Sequence, residues 1–158
     1  GATDRVLPFP GWTLPGVYTL GAAQVALKSQ AVAIGSRVVF AGTGPLLYLV
    51  AWQYAKAGAQ VAAVLDTGTM ADKRAALPAM LRQPAVLAKG LYYMAWLRTH
   101  GVPLHQGVRL LRAQGDAAIE ALHWADARGE LAVVCTMLLM LGVEFLERVE
   151  EAPLRSLA

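Results

Sequence analysis

Arg37-Val38-Val39-Phe40-Ala41-Gly42-Thr43-Gly44-Pro45-Leu46-Leu47 contains the change of pattern on which the fold depends. Arg37 to Ala41 is a short apolar run with β-branched residues, bounded by the glycines Gly35 and Gly42, which suits a strand buried on both faces. Gly42-Thr43-Gly44 reads as a turn. Pro45 to Ala57 has helical composition, with its proline at a first helical position, and Gly58 stops it. Gln60-Val61-Ala62-Ala63-Val64-Leu65 is then a second buried strand ending at Asp66. A strand–helix–strand unit of about 30 residues predicts parallel strands joined by a right-handed crossover.

Upstream, Pro8, Pro10 and Pro15 alternate with Gly11 and Gly16, which excludes a helix and predicts an extended linker with turns. Gly21 to Ala33 is rich in Ala, Gln, Leu and Val and predicts a short helix closed by Gly35. Downstream, Asp72 to His100 is helical in composition with interruptions expected at Pro78 and Pro84, and Val102 to Gln106 predicts a third parallel strand. The period then shifts towards two. Val108 to Gln114, Ala118 to Trp124 and Glu130 to Thr136 are strand-like and are separated by Gly115-Asp116 and by Asp126 to Gly129, which predicts an antiparallel meander. Met137 to Leu141 is one more apolar strand, stopped by Gly142. The fold class expected is α/β: a Rossmann-like parallel sheet of about four strands with helices, plus a three-stranded antiparallel meander.

The chain has 158 residues, room for one domain of ordinary size. Its apolar share is 56% and its charged share 16%, where soluble domains run near 45–50% and about 25%. The uncharged stretch Val38 to Ala55 has 18 residues, but Gly42-Thr43-Gly44-Pro45 breaks it early, and Leu131 to Val143 has 13. The expectation is therefore a surface partly covered by a partner, with no membrane span. A net charge of +3 and no Lys/Arg cluster longer than two residues speak against nucleic acid. Seven basic residues and no acid lie between Lys73 and Arg112, whereas Glu144 to Glu151 holds four acids and Arg148. Such segments are ordinarily solvated faces; the alternative is a basic face that attracts phosphates or an acidic partner. The lone Cys135 excludes a disulfide framework, is expected as a buried inert thiol, and is compatible with a cytoplasmic setting.

Chemistry concentrates at the glycine turn. A dinucleotide site needs one glycine for the tight turn out of the strand and a second where backbone meets a pyrophosphate at a helix N-terminus. Gly42 and Gly44 stand at those places, while Leu47 replaces the third glycine. Asp66 follows Gly42 by 24 residues, where a carboxylate accepts hydrogen bonds from a ribose and repels a 2′-phosphate, favouring NAD over NADP. The competing role for Asp66 is to cap a turn with Thr67 and Gly68. The same layout also serves other adenosine ligands, S-adenosylmethionine among them. His100, His105 and His123 lack metal-ligand spacing, and no acid, base or nucleophile stands out. Trp12, Trp52, Trp96 and Trp124 are expected as core or interface anchors.

Asp4-Arg5 with Pro8-Phe9-Pro10-Gly11-Trp12-Thr13-Leu14-Pro15-Gly16-Val17, then Gly21-Ala22-Ala23-Gln24 and Lys28-Ser29-Gln30, resembles the stretch that leaves the FAD domain in two-dinucleotide flavoproteins. The similarity is to the opine oxidase, hydrogen cyanide synthase and dye-linked amino-acid dehydrogenase subunits. Their nucleotide-binding domain is also resembled by Gly42-Thr43-Gly44-Pro45-Leu46-Leu47 and Asp66, and Leu is common there in place of the third glycine. The resemblance implies an exit segment at 1–35, an inserted NAD-type domain at 36–142 and a return segment at 143–158, with FAD held by a part of the parent protein outside this chain. It implies that Gly42, Thr43, Gly44, Pro45 and Leu46 form the phosphate turn, that Asp66 holds the adenosine ribose, and that Gly142 lets backbone approach the nicotinamide. Gly142-Val143-Glu144-Phe145 departs from the family's Gly-x-Gly-Phe, and Leu146-Glu147-Arg148 lacks its following proline. The implied function is nucleotide binding within an FAD-dependent oxidoreductase of amines or amino acids, the partners being the FAD domain and a second subunit. The rival reading is a structural or assembly module with an unused nucleotide site.

Overall fold

A computed structural model describes residues 8–35, 37–136 and 138–143. Asp4-Arg5 and the departures at Glu144 to Arg148 lie outside the described residues. Among the described residues the elements in order are β1 (Val17–Thr19), α1 (Leu20–Gln30), β2 (Arg37–Thr43), α2 (Pro45–Lys56), β3 (Gln60–Asp66), α3 (Met70–Leu81), α4 (Pro84–Thr99), β4 (Leu104–Gln106), β5 (Arg109–Gln114), β6 (Ala121–Ala125), β7 (Leu131–Cys135) and β8 (Leu138–Val143). The α/β class and both sheets agree with the sequence.

The parallel sheet has five strands in the order β1-β8-β2-β3-β4. The strand absent from the sequence reading is β1. At three residues it is too short to show a period, and it exists because β8 offers it an edge, pairing Val17 with Leu139 and Thr19 with Leu141. The second sheet is the expected antiparallel meander, β5-β6-β7.

The parallel sheet is the middle of three layers, and β2 shows why. Its alternate side chains enter different cores: Val38 and Phe40 meet α1, α2 and α4, while Val39 and Ala41 meet the meander. Strand β3 does the same around a bulge. The register steps from Val38–Val61 to Val39–Ala63, so Val61 and Val64 face the helices while Ala63 and Leu65 face the meander. On the helical side Phe40 and Tyr54 meet edge to face at 5.4 Å, and the Tyr54 hydroxyl donates to the Ala23 carbonyl at 3.0 Å. On the other side Leu122 and Trp124 close the core, and the Pro-rich segment lies along it. Phe9 and Leu14 pack there, Ala113 donates to the Pro10 carbonyl at 2.8 Å, and Ile119 donates to that of Pro15 at 2.8 Å.

Several expectations change in detail. Gly42 and Thr43 belong to β2 rather than to a turn, because their backbone pairs with β3 and β8. Helix α1 ends before Ala31, which adopts the left-handed conformation (φ 54°) and returns its N–H to Ala26, so Gly35 is not the stop. Pro78 sits inside α3, and the break falls at Gln83, whose backbone (φ −126°, ψ 68°) is kept out of the helical region by the steric demand of Pro84. Gly142 lies within β8 and does not stop it. Cys135 is exposed on the edge strand β7 rather than buried, because the alternation of β7 aims Leu131, Val133 and Cys135 outwards. Among the described residues no helix is long and apolar enough to cross a membrane.

Candidate functional site

Parallel register brings the separated motif residues into one row. Gly42 pairs with Gly142 on β8 and with Asp66 on β3, and Asp66 pairs with Gln106 on β4. The row Gly142–Gly42–Asp66–Gln106 therefore crosses four neighbouring strands at their carboxyl ends. Between β2 and β8 the strand order reverses: the chain runs outward through β3 and β4 and returns on the other side of β2. In an open α/β sheet that reversal leaves a crevice outside the strand ends, the place where ligands bind.

Gly42 has φ 152° and Gly44 φ 97°, so both carry backbone that disfavours a side chain. Gly44 is the N-cap of α2, no side chain caps that helix, and Pro45 occupies its first turn. A helix end of this kind presents backbone donors and the positive end of its dipole to an anion. Thr43 stands over the next loop, where a Cβ added to Gly68 would lie 2.7 Å from its Oγ1 and 3.0 Å from Asp66 Oδ1. Leu47, in the third glycine position, is fully buried in the helical core. The helix packs through a leucine side chain where the glycine motif would bring backbone to backbone.

The loop after β3 is held by short bonds. Thr67 donates to the Gly42 carbonyl through its N–H at 2.7 Å and its hydroxyl at 3.1 Å. Asp66 Oδ1 accepts the Gly68 N–H at 2.8 Å, the turn-capping role considered for it. Asp66 Oδ2 accepts the Tyr48 hydroxyl at 2.6 Å and the Lys73 ammonium at 2.8 Å. Only 3% of the Asp66 side chain is exposed, against 33% for Lys73. Burial holds the Tyr48 phenol well above its ordinary range, with the hydrogen bond to Asp66 and its charge acting the same way and Gln106 and Arg98 opposing them.

All seven predicted site residues thus lie along the carboxyl ends of β2, β3 and β8 and the start of α2. Tyr48, Lys73 and Gln106 were not singled out as site residues from the sequence. Lys73 opens the run of basic residues, which was its only signal; Tyr48 has the look of any core aromatic until α2 sets it over β3. The three histidines stay apart: His100 stacks on Trp96 at 3.7 Å, His105 lies against Trp124 at 4.5 Å, and His123 bonds Gln114 at 2.7 Å. Among the described residues no cluster of His, Cys, Asp or Glu could hold a metal ion.

No protein-family model matches the chain. Hydrogen cyanide synthase subunit HcnB of Pseudomonas protegens is 36% identical over 157 residues, which cover 95% of this chain and 34% of that protein. An opine oxidase subunit from Agrobacterium tumefaciens is 40% identical over 143 residues, covering 89% of this chain and 28% of that one. The chain is a homologue of one part of these proteins. It spans about a third of the length of the curated relatives it matches. Among solved structures, the ferredoxin reductase of the CYP199A2 system of Rhodopseudomonas palustris shares the fold at TM-score 0.61 and 20% identity, over 90% of this chain and 32% of that one. The Rossmann-type class is thereby shown twice, by the topology and by this likeness.

Proposed function

We propose that the chain is the NAD-type nucleotide-binding domain of an FAD-dependent oxidoreductase acting on amines or amino acids. One observation carries the reading: Gly142, Gly42 and Asp66 stand in register at the strand ends flanking the reversal of strand order. A dinucleotide fits this site by its pyrophosphate. Gly42, Thr43, Gly44, Pro45 and Leu46 would surround it at the start of α2, Gly142 would leave room for the nicotinamide half, and Asp66 lies on the side of the adenosine ribose. The nicotinamide, when bound, supplies hydride chemistry; this chain's residues bind, orient and shield it. The flavin, the FAD domain of the parent protein and a second subunit lie outside the chain, in a cytoplasmic setting. Exposed Leu77, Leu81, Leu91, Leu131 and Val133 provide apolar surface for such partners.

The test is a fluorescence titration with NADH of the wild-type chain and of Gly44→Ala. Saturable binding that weakens about tenfold or more in the variant supports the phosphate turn, each tenfold being about 1.4 kcal/mol. An unchanged affinity in a folded variant overturns it. The assembly module is the second reading, favoured by the engagement of both Asp66 oxygens within the chain. Absence of binding at about millimolar NADH, the weakest affinity of interest, selects it.

A further inference from the structure

We propose that Lys73 is the specificity-determining residue of this nucleotide site, because its ammonium holds the Asp66 oxygen that a ribose diol needs. The inference rests on the nucleotide-binding reading and deepens it. A ribose is recognised by a carboxylate that accepts from its hydroxyls. Asp66 is at the right strand end to do this, but three donors of the same chain already use it: Gly68 N–H, the Tyr48 hydroxyl and the Lys73 ammonium. With 3% of its side chain exposed, Asp66 cannot be reached unless one of them leaves.

The three are not equally free to go. Gly68 follows Thr67, which is tied to Gly42 by two hydrogen bonds, and the Thr43 hydroxyl lies close against it. Tyr48 is buried on α2, 6% exposed. Lys73 is one-third exposed along its side chain although its ammonium nitrogen is itself buried against Asp66, and its four-carbon stem can swing that ammonium into water without moving α3. A nucleotide with a free 2′-hydroxyl gains Asp66 only by displacing Lys73 and breaking the ion pair. A nucleotide with a 2′-phosphate approaches a carboxylate already neutralised and draws the Lys73 ammonium outwards to itself, with Arg74 next in sequence and exposed. Lys73 thus lowers the preference for NAD that Asp66 alone would impose.

The experiment titrates the full chain and Lys73→Met with NADH and NADPH, checking fold by circular dichroism and cooperative thermal unfolding. Removing the ammonium should raise the NADH-over-NADPH affinity ratio about tenfold or more, by strengthening NADH and weakening NADPH. Tyr48→Phe, which removes the other donor from the same oxygen without removing a charge, should strengthen NADH less and leave NADPH nearly unchanged. Lys73→Gln takes the place of the Met variant if that one does not unfold cooperatively. A ratio unchanged in a folded Lys73 variant, while the wild type binds, overturns the role of Lys73 and leaves the nucleotide-binding reading intact. Both affinities falling together with the melting temperature make Lys73 merely structural and also overturn it. Binding gained only in the variant supports Lys73 as the block and shows the native site to be unused. No binding in wild type or folded variants overturns both readings.

Discussion

Gly11 turns the backbone at φ 85°, and a Cβ on it would run into the carbonyl of Ala113. The proline-rich segment can lie on the meander only with hydrogen at that position. Gly11→Ala should therefore destabilise the chain by about 2 kcal/mol or more, read from the shift of the urea midpoint at constant m-value. His105 sets a pH dependence. Burial against Trp124 lowers its imidazole below the ordinary 6.5, so the unfolded chain binds more protons in that window. Its contribution to stability is fully present above pH 6.5 and is lost as pH falls below that value. The melting temperature of the wild type should fall more than that of His105→Gln between about pH 7.5 and about pH 5. At Cys135 the apolar neighbours suggested burial, but an edge strand has one face to lose to solvent. The native thiol should react stoichiometrically with a disulfide reagent without denaturant.

At the scale of elements, α3 is the helix held least by the core. None of its described side chains is buried, and its start depends on a capping pair. Thr69 Oγ1 accepts the Asp72 N–H at 3.2 Å, while the Thr69 N–H donates to Asp72 Oδ2 at 2.9 Å. Pro78 within it removes a helical hydrogen bond, a cost of about 3 kcal/mol in a helix interior. Pro78→Ala should slow amide exchange in α3 markedly while moving the global unfolding midpoint little, because α3 contributes little to the core. The Thr69 hydroxyl, then its N–H, holds the Asp72 carboxyl below its usual range, so this cap is present above about pH 3.8 and lost as pH falls through the lowered value. The helical composition of Asp72 to His100 is legible in the sequence. The exact break was not, since a proline's effect depends on whether its neighbours hold the helix through it.

Over the whole molecule, the parallel sheet has both faces covered, one by helices and one by the meander, which explains the continuous apolar runs of β2 and β3. Several other apolar residues are displayed outwards. Met70, Leu77, Leu81, Leu91 and Tyr92 line the α3–α4 pair, and Leu131 and Val133 lie on the edge strand β7. An exposed apolar edge pairs readily with another chain. Val133→Lys should lower concentration-dependent self-association in sedimentation velocity without lowering the melting temperature, since the Val133 side chain packs into neither core.

Local pattern alone determined the strand–glycine–helix–strand unit, the helices and the meander, because runs such as Val38 to Ala41 and turns such as Gly115-Asp116 encode short-range preferences. It also picked out Gly42, Gly44 and Asp66, whose residue types are dictated by backbone shape and charge. Only the tertiary structure decided that β1 joins the sheet, that Gly142 stands beside Gly42, and that Asp66 is enclosed by Tyr48 and Lys73. The physical reason is that these relations depend on the register between strands distant in the chain and on which helix face is buried. Neither is written in any window of neighbouring residues.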